Sequence, residues 1–254
     1  MSALPPTLLS QKGRIAFVTG ASRGIGRSAA LGLAKAGAQV IACARNKAHL
    51  EDLDDEIFAA TASHATLIPF DISDGDAFDR LSSALFERFG RVDTIVHVAA
   101  ISGTLMPVTH QEPKDFEKVL QVNLTATFRL LRALEPLLRQ SSAGRAIFLT
   151  TGESVTRGRA FWGLYGATKS AMETLVRAWA DEIEITPIRA ALLSPGGIRT
   201  QMRAAAFPGE DPMSLPHPDE LIPLLLELAS ADRIPPLETV DFRAWLAENL
   251  TKTR

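Results

Sequence analysis

The sequence predicts an α/β fold in which a doubly wound parallel sheet carries helices on both faces. Short apolar stretches, typical of buried parallel strands, alternate with longer amphipathic stretches that are typical of crossover helices. A glycine-rich turn joins the first of these strands to the first helix. At 254 residues, with 46% hydrophobic residues and a mean hydropathy of +0.08, the chain can bury one large core. We therefore expect a single domain spanning residues 1–254.

The expected elements follow one another without an internal repeat or a linker. Strands are predicted at residues 14–19, 39–43, 66–70, 94–98, 146–150 and 188–193. A first helix follows the glycine-rich turn and ends near Gly37, and longer helices are predicted at 47–60, 75–89, 113–139 and 162–185. Ligands of such sheets bind at the carboxyl ends of the strands, so we expect the functional site at that edge.

The first predicted strand runs into the sequence TGASRGIG, which places Gly20, Gly24 and Gly26 at a strand-to-helix turn. Gly20 permits the tight turn, Gly24 lets the backbone approach a pyrophosphate, and Gly26 lets the helix pack closely on the strand. The N–H groups at the start of the helix then face the phosphates, with the positive end of the helix dipole behind them. Because an apolar strand precedes the glycines and an amphipathic helix follows them, the turn predicts a dinucleotide site.

Tyr165, the only tyrosine in the chain, precedes Lys169 by four residues in a stretch predicted to begin a long helix. Residues four apart share one helix face, so a phenol and an ammonium would lie side by side. A nearby cation stabilises the phenolate, and we therefore expect the pKa of Tyr165 to be lowered from its usual value of about 10. Such a pair can exchange a proton with a substrate. The alternative is a solvated helix surface without chemistry.

The glycine spacing TGxxxGxG together with YxxxK resembles the short-chain dehydrogenase/reductase family over nearly the whole chain. The likeness is strongest to bacterial, largely uncharacterised oxidoreductases that share GRAFWGLY before the tyrosine helix and RTQMRAAAFPGEDP after the sixth strand. The resemblance implies a Rossmann fold and an NAD(P)-dependent transfer of hydride between nicotinamide and a carbonyl or secondary alcohol. It also implies that Tyr165 is the general acid and base, and that Lys169 both assists the tyrosine and binds the nicotinamide ribose.

The end of the second strand predicts which nicotinamide cofactor the protein prefers. Folds that bind NAD place an acidic residue there, whereas this chain has Ala44 followed by Arg45 and Asn46. Arg45, and Arg23 from the glycine turn, are suited to a 2′-phosphate, so we expect a preference for NADP(H). The alternative is that both arginines belong to a solvated surface. The resemblance places Asp71 against the adenine amino group, although this residue is also suited to a helix N-cap.

Further cofactor contacts follow from the resemblance alone. In SPGGIRTQM, Pro195 and Gly196 make a bend that closes over the nicotinamide. The backbone of Ile198 and the hydroxyl of Thr200 are then expected to meet the carboxamide. The remaining contacts are assigned to Ser22, Ile25, Ile72 and Ala99.

Two further polar positions complete the expected catalytic set. Asn123 lies in an apolar helical stretch, where a polar side chain needs a partner. The resemblance implies that Asn123 kinks its helix and holds a water that links the lysine to solvent, and a capped or bent helix turn is the simpler alternative. The family's carbonyl-binding serine is missing, because Gly152 stands thirteen residues before the tyrosine. Alignment from the fifth strand assigns that role to Thr151, with Ser154 as the alternative.

Other segments depart from the family pattern or concern the substrate. HVAAISG replaces the usual NNAG after the fourth strand, which removes amides that brace the sheet and leaves His97 as a packed strand residue. Residues 238–242 are suited to a last strand. A substrate lid is expected at 199–216, and Trp162 either lines the same cavity or packs the helix start. The lid side chains that predict an apolar pocket with a basic rim are Met202, Phe207, Met213, Arg199 and Arg203.

Composition excludes several other functions. A net charge of −2 with interspersed signs leaves no basic face for nucleic acid and no polybasic patch for a membrane surface. The single cysteine, Cys43, excludes a disulfide framework and a thiol-rich metal site, so no metal is expected. The N-terminal segment is too short and proline-broken for a signal peptide, and we expect a cytoplasmic protein. The resemblance implies a homodimer or homotetramer. The alternative to an enzyme is a catalytically weak NADPH-binding sensor or scaffold.

Overall fold

A computed structural model of the protein describes residues 9–231 and 238–250. The strands are β1 (Ile15–Thr19), β2 (Gln39–Ala44), β3 (Thr66–Pro69), β4 (Thr94–His97), β5 (Arg145–Leu149), β6 (Arg189–Ser194) and β7 (Val240–Asp241). They form one seven-stranded sheet in the order β3-β2-β1-β4-β5-β6-β7, and every neighbouring pair is parallel. The predicted doubly wound Rossmann fold is confirmed.

The helices that connect the strands lie on both faces of the sheet. They are α1 (Gly24–Lys35), α2 (Lys47–Thr61), α3 (Gly75–Phe89), α4 (Pro113–Leu120), α5 (Ala126–Leu138), α6 (Glu153–Thr156), α7 (Gly163–Glu182), α8 (Gln201–Ala206), α9 (Ile222–Ala229) and α10 (Phe242–Leu250). A π-helical turn, Gln121–Thr125, joins α4 to α5, and 3₁₀ turns lie at Val108–His110, Pro212–Ser214 and Pro218–Leu221.

The pleat of β1 shows how the two cores form. Successive side chains of a strand point to opposite faces, so Ala16 and Val18 pack with α1, α2 and α9, whereas Phe17 packs with α3, α5 and α7. The crossover through α1 leads from β1 to β2, and the crossover through α3 leads back to β4 on the other side of β1. The strand order reverses between β1 and β4, which opens a crevice at their carboxyl ends.

Most predicted elements are confirmed to within a residue or two at each end. The helix predicted at 113–139 is confirmed as a helical segment, with a π-helical turn at Gln121–Thr125 where a kink or bend at Asn123 was expected. The side-chain amide of Asn123 binds both backbone groups of Ile101, at 2.9 Å each, and this long-range contact accompanies the extra residue in the turn. The strand predicted at 238–242 is confirmed as the short β7.

Two other expectations concern the chain ends and the cysteine. Residues 1–8, which hold most of the segment judged unsuited to a signal peptide, lie outside the described residues. Within the described ranges, no helix combines the length and apolarity needed to cross a bilayer. Cys43 is buried in β2, and burial raises the pKa of its thiol, which keeps it a small apolar side chain.

Candidate active site

The carboxyl ends of the strands open into a cavity of about 790 Å³. Its wall is formed by the glycine turn after β1, the ends of β2 to β6, the start of α7 and the segment around α8, where the lid was expected. The predicted site residues in this wall are Gly20, Ser22, Arg23, Gly24, Ile25, Arg45, Asp71, Ile72, Ala99, Thr151, Tyr165, Lys169, Pro195, Gly196, Ile198 and Thr200. Gly26, Asn123 and the predicted pocket residue Met213 are not part of the cavity wall.

The glycine turn has the backbone geometry that its spacing predicts. Gly20 has a φ of +68°, and a Cβ there would lie 3.1 Å from Cα of Ala99. Gly24 has a φ of +54°, in the left-handed region that favours glycine. A Cβ on Gly26 would lie 2.2 Å from the carbonyl oxygen of Gly20. Only glycine therefore lets α1 pack this closely on the turn.

The first turn of α1 is suited to hold a phosphate. No side chain hydrogen-bonds to its N-terminal N–H groups from the N-cap position of Arg23, and the first turn contains no acidic residue. Such N–H groups, together with the positive end of the helix dipole, attract an anion. Because Gly24 and Ile25 of this turn line the cavity, the site fits the pyrophosphate of a dinucleotide.

Two arginines lie where the 2′-phosphate was expected. Arg45 follows β2 and lies 3.9 Å from the Asp71 carboxylate. Arg23 donates a hydrogen bond of 2.6 Å to Oε1 of Gln201. Both arginines are exposed and line the cavity, and the residues that follow the buried Ala44 at the end of β2 carry no carboxylate. This end of the cavity therefore offers two cations and one acidic group.

Asp71 is held by its own turn. Oδ1 accepts hydrogen bonds from the backbone N–H and the hydroxyl of Ser73, at 2.9 and 2.8 Å. Partial burial acts to raise the pKa of Asp71, but these hydrogen bonds and the Arg45 charge outweigh it, and the pKa lies below its usual value. The N-cap of α3 is Asp74, whose side chain accepts from the N–H of Ala77. Asp71 therefore lies in the turn that leads into α3, in the N-cap region, while Asp74 supplies the cap itself.

Tyr165 and Lys169 lie one turn apart on α7, as their spacing predicts. Both side chains are buried, with 7% and 3% of their surface exposed, and both line the cavity. The Lys169 ammonium donates a hydrogen bond of 2.8 Å to the carbonyl oxygen of Leu149 at the end of β5. Its nitrogen lies 6.0 Å from the centre of the Tyr165 ring. The helix and the strand end together orient the pair toward the cavity.

Burial reverses the expected direction of the tyrosine pKa. We predicted that the Lys169 charge lowers the pKa of Tyr165, whereas burial raises it to about 12. The same loss of solvent lowers the pKa of Lys169 to about 8, although the carboxylate of Glu173 acts in the opposite direction. The pKa of Tyr165 rises because the cost of burying its phenolate exceeds the attraction of the Lys169 ammonium, which is itself hydrogen-bonded to Leu149.

Glu173 is a site residue that the sequence analysis missed. It lies one helical turn beyond Lys169, and its carboxylate accepts a hydrogen bond from the hydroxyl of Thr150, the residue after β5. Arg177, a further turn along α7, lies 3.5 Å from the same carboxylate. The residues 165, 169, 173 and 177 thus repeat every four positions on one helix face. That spacing was the signal that could have identified Glu173.

Asn123 lies beneath the cavity in the π-helical turn. Its side chain is almost completely buried and binds both backbone groups of Ile101. Its amide nitrogen also donates a hydrogen bond of 3.0 Å to the hydroxyl of Thr168, which in turn donates to the carbonyl oxygen of Tyr165. Asn123 therefore joins the segment after β4 to the turn of α7 that carries the tyrosine. Within the described part of the chain Asn123 makes no hydrogen bond with Lys169, so its place in a proton relay stays a prediction.

His97 is confirmed as a packed strand residue. Its hydrogen bonds brace the sheet where the family's side-chain amides are missing. Its Nδ1 lies 2.9 Å from the hydroxyl of Thr19, and its Nε2 lies 3.0 Å from the hydroxyl of Thr127. The Thr19 hydroxyl oxygen already accepts from the N–H groups of Val98 and Ala99. It must therefore donate to Nδ1, which makes Nε2 the protonated nitrogen of a neutral ring.

The loop alignment assigns the carbonyl-binding role to Thr151, and this role stays a prediction. Thr151 lines the cavity, and its hydroxyl has no hydrogen-bond partner among the residues that the structure describes. Gly152 also lines the cavity, and a Cβ there would meet open space. The Ser154 side chain lies outside the described part of the chain. Thr151 is thus a described hydroxyl of the cavity wall that is available to a substrate.

The turn after β6 continues the cavity wall toward the lid. Gly196 has a φ of +67°, which follows the bend that Pro195 begins. Ile198 is buried, and Thr200 caps α8 because its hydroxyl oxygen accepts a hydrogen bond of 3.2 Å from the N–H of Arg203. The Thr200 hydroxyl that was expected to meet a carboxamide thus also caps α8.

Aromatic rings connect the tyrosine to the lid. Trp162 lies edge-on to Tyr165, with ring centres 5.7 Å apart, and stacks on Phe207 at 5.9 Å. Trp162 therefore lines the cavity and packs the start of α7 at the same time. Met202 belongs to the wall as predicted, whereas Met213 does not, because 73% of its surface faces solvent. The expectation for Met213 is wrong.

The sequence pattern of the short chain dehydrogenase family matches residues 14–211. The oxidoreductase YciK of Escherichia coli (strain K12), itself uncharacterised, is 40% identical over 222 residues, which cover 86% of this chain and 87% of that protein. A short chain dehydrogenase from Salmonella enterica serovar Typhi has a crystal structure that superposes with a TM-score of 0.89 at 38% identity. The superposition covers 94% of this chain and 98% of the Salmonella chain.

A short chain dehydrogenase from Shigella flexneri 2a was crystallised in complex with NADP. Its structure superposes with a TM-score of 0.87 at 38% identity, covering 92% of this chain and 98% of the Shigella chain. These matches extend over the glycine turn, the tyrosine helix and the segment that follows β6. The chain therefore belongs to the short-chain dehydrogenase/reductase family of NAD(P)-dependent oxidoreductases.

Proposed function

We propose that the protein is an NADPH-preferring reductase that acts on a carbonyl group, or in reverse on a secondary alcohol, with Tyr165 as general acid and base. The observation that carries the proposal is one cavity that joins the uncapped start of α1 to Tyr165, Lys169 and Thr151. When bound, the nicotinamide cofactor supplies the hydride. The remaining chemistry is the delivery of one proton and the orientation of the carbonyl, and these tasks fall to side chains of the wall.

The cavity offers a partner for each part of the cofactor. The glycine turn and the first N–H groups of α1 suit the pyrophosphate, and Lys169 suits the nicotinamide ribose. Arg23 and Arg45 suit a 2′-phosphate, and the absence of a carboxylate at the end of β2 removes the usual partner of an unmodified ribose. The NADP complex of the Shigella relative supports the same choice. The residues proposed to complete the site are Ser22, Ile25, Asp71, Ile72, Ala99, Pro195, Gly196, Ile198 and Thr200.

Tyr165 is suited to give a proton to a carbonyl oxygen. A pKa raised to about 12 keeps the phenol protonated near neutral pH, which is the state that a general acid needs. As the carbonyl becomes an alcohol, the phenolate that remains is stabilised by the Lys169 ammonium one turn away. Thr151 donates its hydroxyl proton to the same oxygen and orients it, and Asn123 is proposed to support the return of the proton.

A carbonyl-substrate panel, followed through NADPH absorbance, tests the proposal. Tyr165→Phe removes only the phenolic oxygen, so turnover should fall about 10²–10⁴-fold while NADPH binding is retained. Lys169→Ala should reduce both turnover and NADPH binding, because the ammonium serves the ribose as well as the tyrosine. A Tyr165→Phe variant that keeps wild-type turnover on every reduced carbonyl would refute the assignment.

The cofactor preference has a separate test. We expect NADPH to bind at least about tenfold tighter than NADH, which corresponds to about 1.4 kcal/mol. Replacing Ala44 by Asp together with Arg45 by Ala should invert the preference, because a carboxylate then meets a ribose hydroxyl and one cation is lost. Equal affinities of the wild-type protein for both cofactors would contradict the proposed roles of Arg23 and Arg45.

A catalytically weak NADPH-binding sensor is the second candidate, and the position of Gly152 favours it, because the family's serine is missing there. Thr151→Val keeps the side-chain shape but loses the hydroxyl, and should lower turnover without changing NADPH affinity if the protein is an enzyme. Gly152→Ser, for which the structure has open space, should keep or raise turnover. If the wild-type protein binds NADPH but reduces no carbonyl of the panel, and neither substitution produces turnover, the protein is a sensor.

A further inference from the structure

The lid end of the cavity carries cations for which the proposed proton and hydride steps have no use. Arg159, Arg199 and Arg243 line the cavity there. None of the three forms an ion pair with another residue in the described ranges. The fourth arginine of this region, Arg203, is different because it binds the Glu210 carboxylate through two hydrogen bonds of 2.6 Å. Three guanidinium groups without an ion pair in the described ranges therefore line this end, and the charge of one of them, Arg243, also acts on the Glu210 carboxylate.

Arg243 reaches the cavity from α10, the last helix described. Its side chain lies over the turn after β6, since a Cβ on Gly196 would be 3.0 Å from its Nε and a Cβ on Gly197 would be 3.0 Å from its Nη2. The same Cβ on Gly197 would be 3.6 Å from Cζ of Arg203. Two glycines therefore give the Arg243 guanidinium room to lie close to the backbone and beside the lid arginine.

Arg159 lies beside the stacked rings of Trp162 and Phe207. Its Cζ is 5.7 Å from the centre of the Phe207 ring, and Cζ of Arg203 is 3.7 Å from the same centre. Phe207 stacks on Trp162, which contacts Tyr165. A continuous apolar surface two rings long thus leads from the catalytic phenol to the arginines.

Arg199 lines the same cavity and has spare hydrogen-bonding capacity. Its Nη2 donates to the carbonyl oxygen of Leu215 at 3.2 Å, whereas its Nε is buried and has no partner among the described residues. The acidic groups of this end are already engaged. Glu210 holds Arg203, and Asp241 accepts from the backbone N–H groups at the start of α10. The cluster therefore keeps a net positive charge.

We propose that the substrate carries a carboxylate or phosphate group, joined to its carbonyl by an apolar segment, and that Arg159, Arg199 and Arg243 bind this anion. Guanidinium groups match both anions with paired N–H donors. The Trp162 and Phe207 rings cover the apolar segment, which places the carbonyl at Tyr165. This inference rests on the proposed reductase function and adds the chemical class of its substrate.

The test compares three ligands of equal chain length: an aliphatic oxo acid, its methyl ester and the corresponding oxo-alkyl phosphate. kcat/KM is measured with NADPH, and binding is measured by calorimetry in the cofactor-bound protein. Wild type should prefer at least one anion over the ester by tenfold or more, and the stronger anion identifies the headgroup. The double variant Arg159→Gln with Arg243→Gln should lose that preference. Its kcat/KM and affinity for the ester should stay within about twofold of wild type.

Arg88→Gln is the matched control, because Arg88 is exposed at the end of α3 and does not line the cavity. It should keep the full preference for the anion. If the double variant unfolds at a lower temperature than wild type, Arg243→Gln is measured alone, because this position is exposed. It should weaken binding of the anionic ligand by at least threefold. Equal binding of ester and anions by wild type, or a preference that survives in these variants, overturns the inference. Arginine-dependent anion binding without turnover would instead refute the reductase function alone.

Discussion

His97 makes folding stability depend on pH in a way that can be measured. The ring is buried, and burial together with the Lys169 charge lowers its pKa to about 3. In the unfolded chain the pKa of a histidine is about 6.5. Between these values the unfolded chain binds a proton at this residue and the folded chain does not, so stability falls as the pH is lowered from about 6.5. Above about pH 6.5 the contribution is constant.

The expected magnitude follows from those two pKa values. At about pH 5 the pH lies about 1.5 units below the histidine pKa of the unfolded chain. Protonation of the unfolded chain therefore lowers the free energy of unfolding by about 2 kcal/mol relative to about pH 7.5. His97→Gln cannot titrate and should lose this part of the pH dependence, although it is less stable overall because Thr19 or Thr127 loses a hydrogen-bond partner.

Urea unfolding followed by tryptophan fluorescence, at both pH values, gives the free energies. Carboxylates and the other histidines contribute alike to wild type and to His97→Gln, so the difference between their pH dependences isolates His97. Wild type should lose about 2 kcal/mol more than the variant on going from about pH 7.5 to about pH 5. Equal losses in the two proteins would show that the ring is not held neutral, and the hydrogen-bond assignment to Thr19 and Thr127 would fall with it.

Two further substitutions test the turn and the helix face. Gly26→Ala places a Cβ 2.2 Å from the carbonyl oxygen of Gly20, so it should lower stability by about 1–3 kcal/mol and prevent NADPH binding. Gly209→Ala is the control, because a Cβ at Gly209 meets open space. This control should behave as wild type in thermal unfolding and NADPH titration. Glu173→Gln removes the charge that raises the pKa of Lys169, so this pKa should fall below about 8 and NADPH affinity should decline at a lower pH than in wild type. An unchanged pH dependence of binding would exclude an electrostatic role for Glu173.

The sequence by itself determined the features that depend on local spacing. The alternation of apolar strands with amphipathic helices predicted the doubly wound sheet, because the two periods reflect which faces must be buried. Gly20, Gly24 and Gly26 identified the turn since their spacing is set by backbone geometry within a few residues. Tyr165 and Lys169 were paired by helical periodicity alone. None of these inferences required knowledge of residues distant in the chain.

The tertiary structure decided what depends on contacts between distant segments and on exclusion of water. The π-helical turn accompanies the hydrogen bond between Asn123 and Ile101, which lie 22 residues apart in the sequence. The direction of the Tyr165 pKa depends on how much water the surrounding elements remove, and no spacing rule contains that quantity. Arg243 joins the lid arginines only because α10 folds back over the turn after β6. Local periodicity specifies faces of single elements, whereas these properties arise where faces of several elements meet.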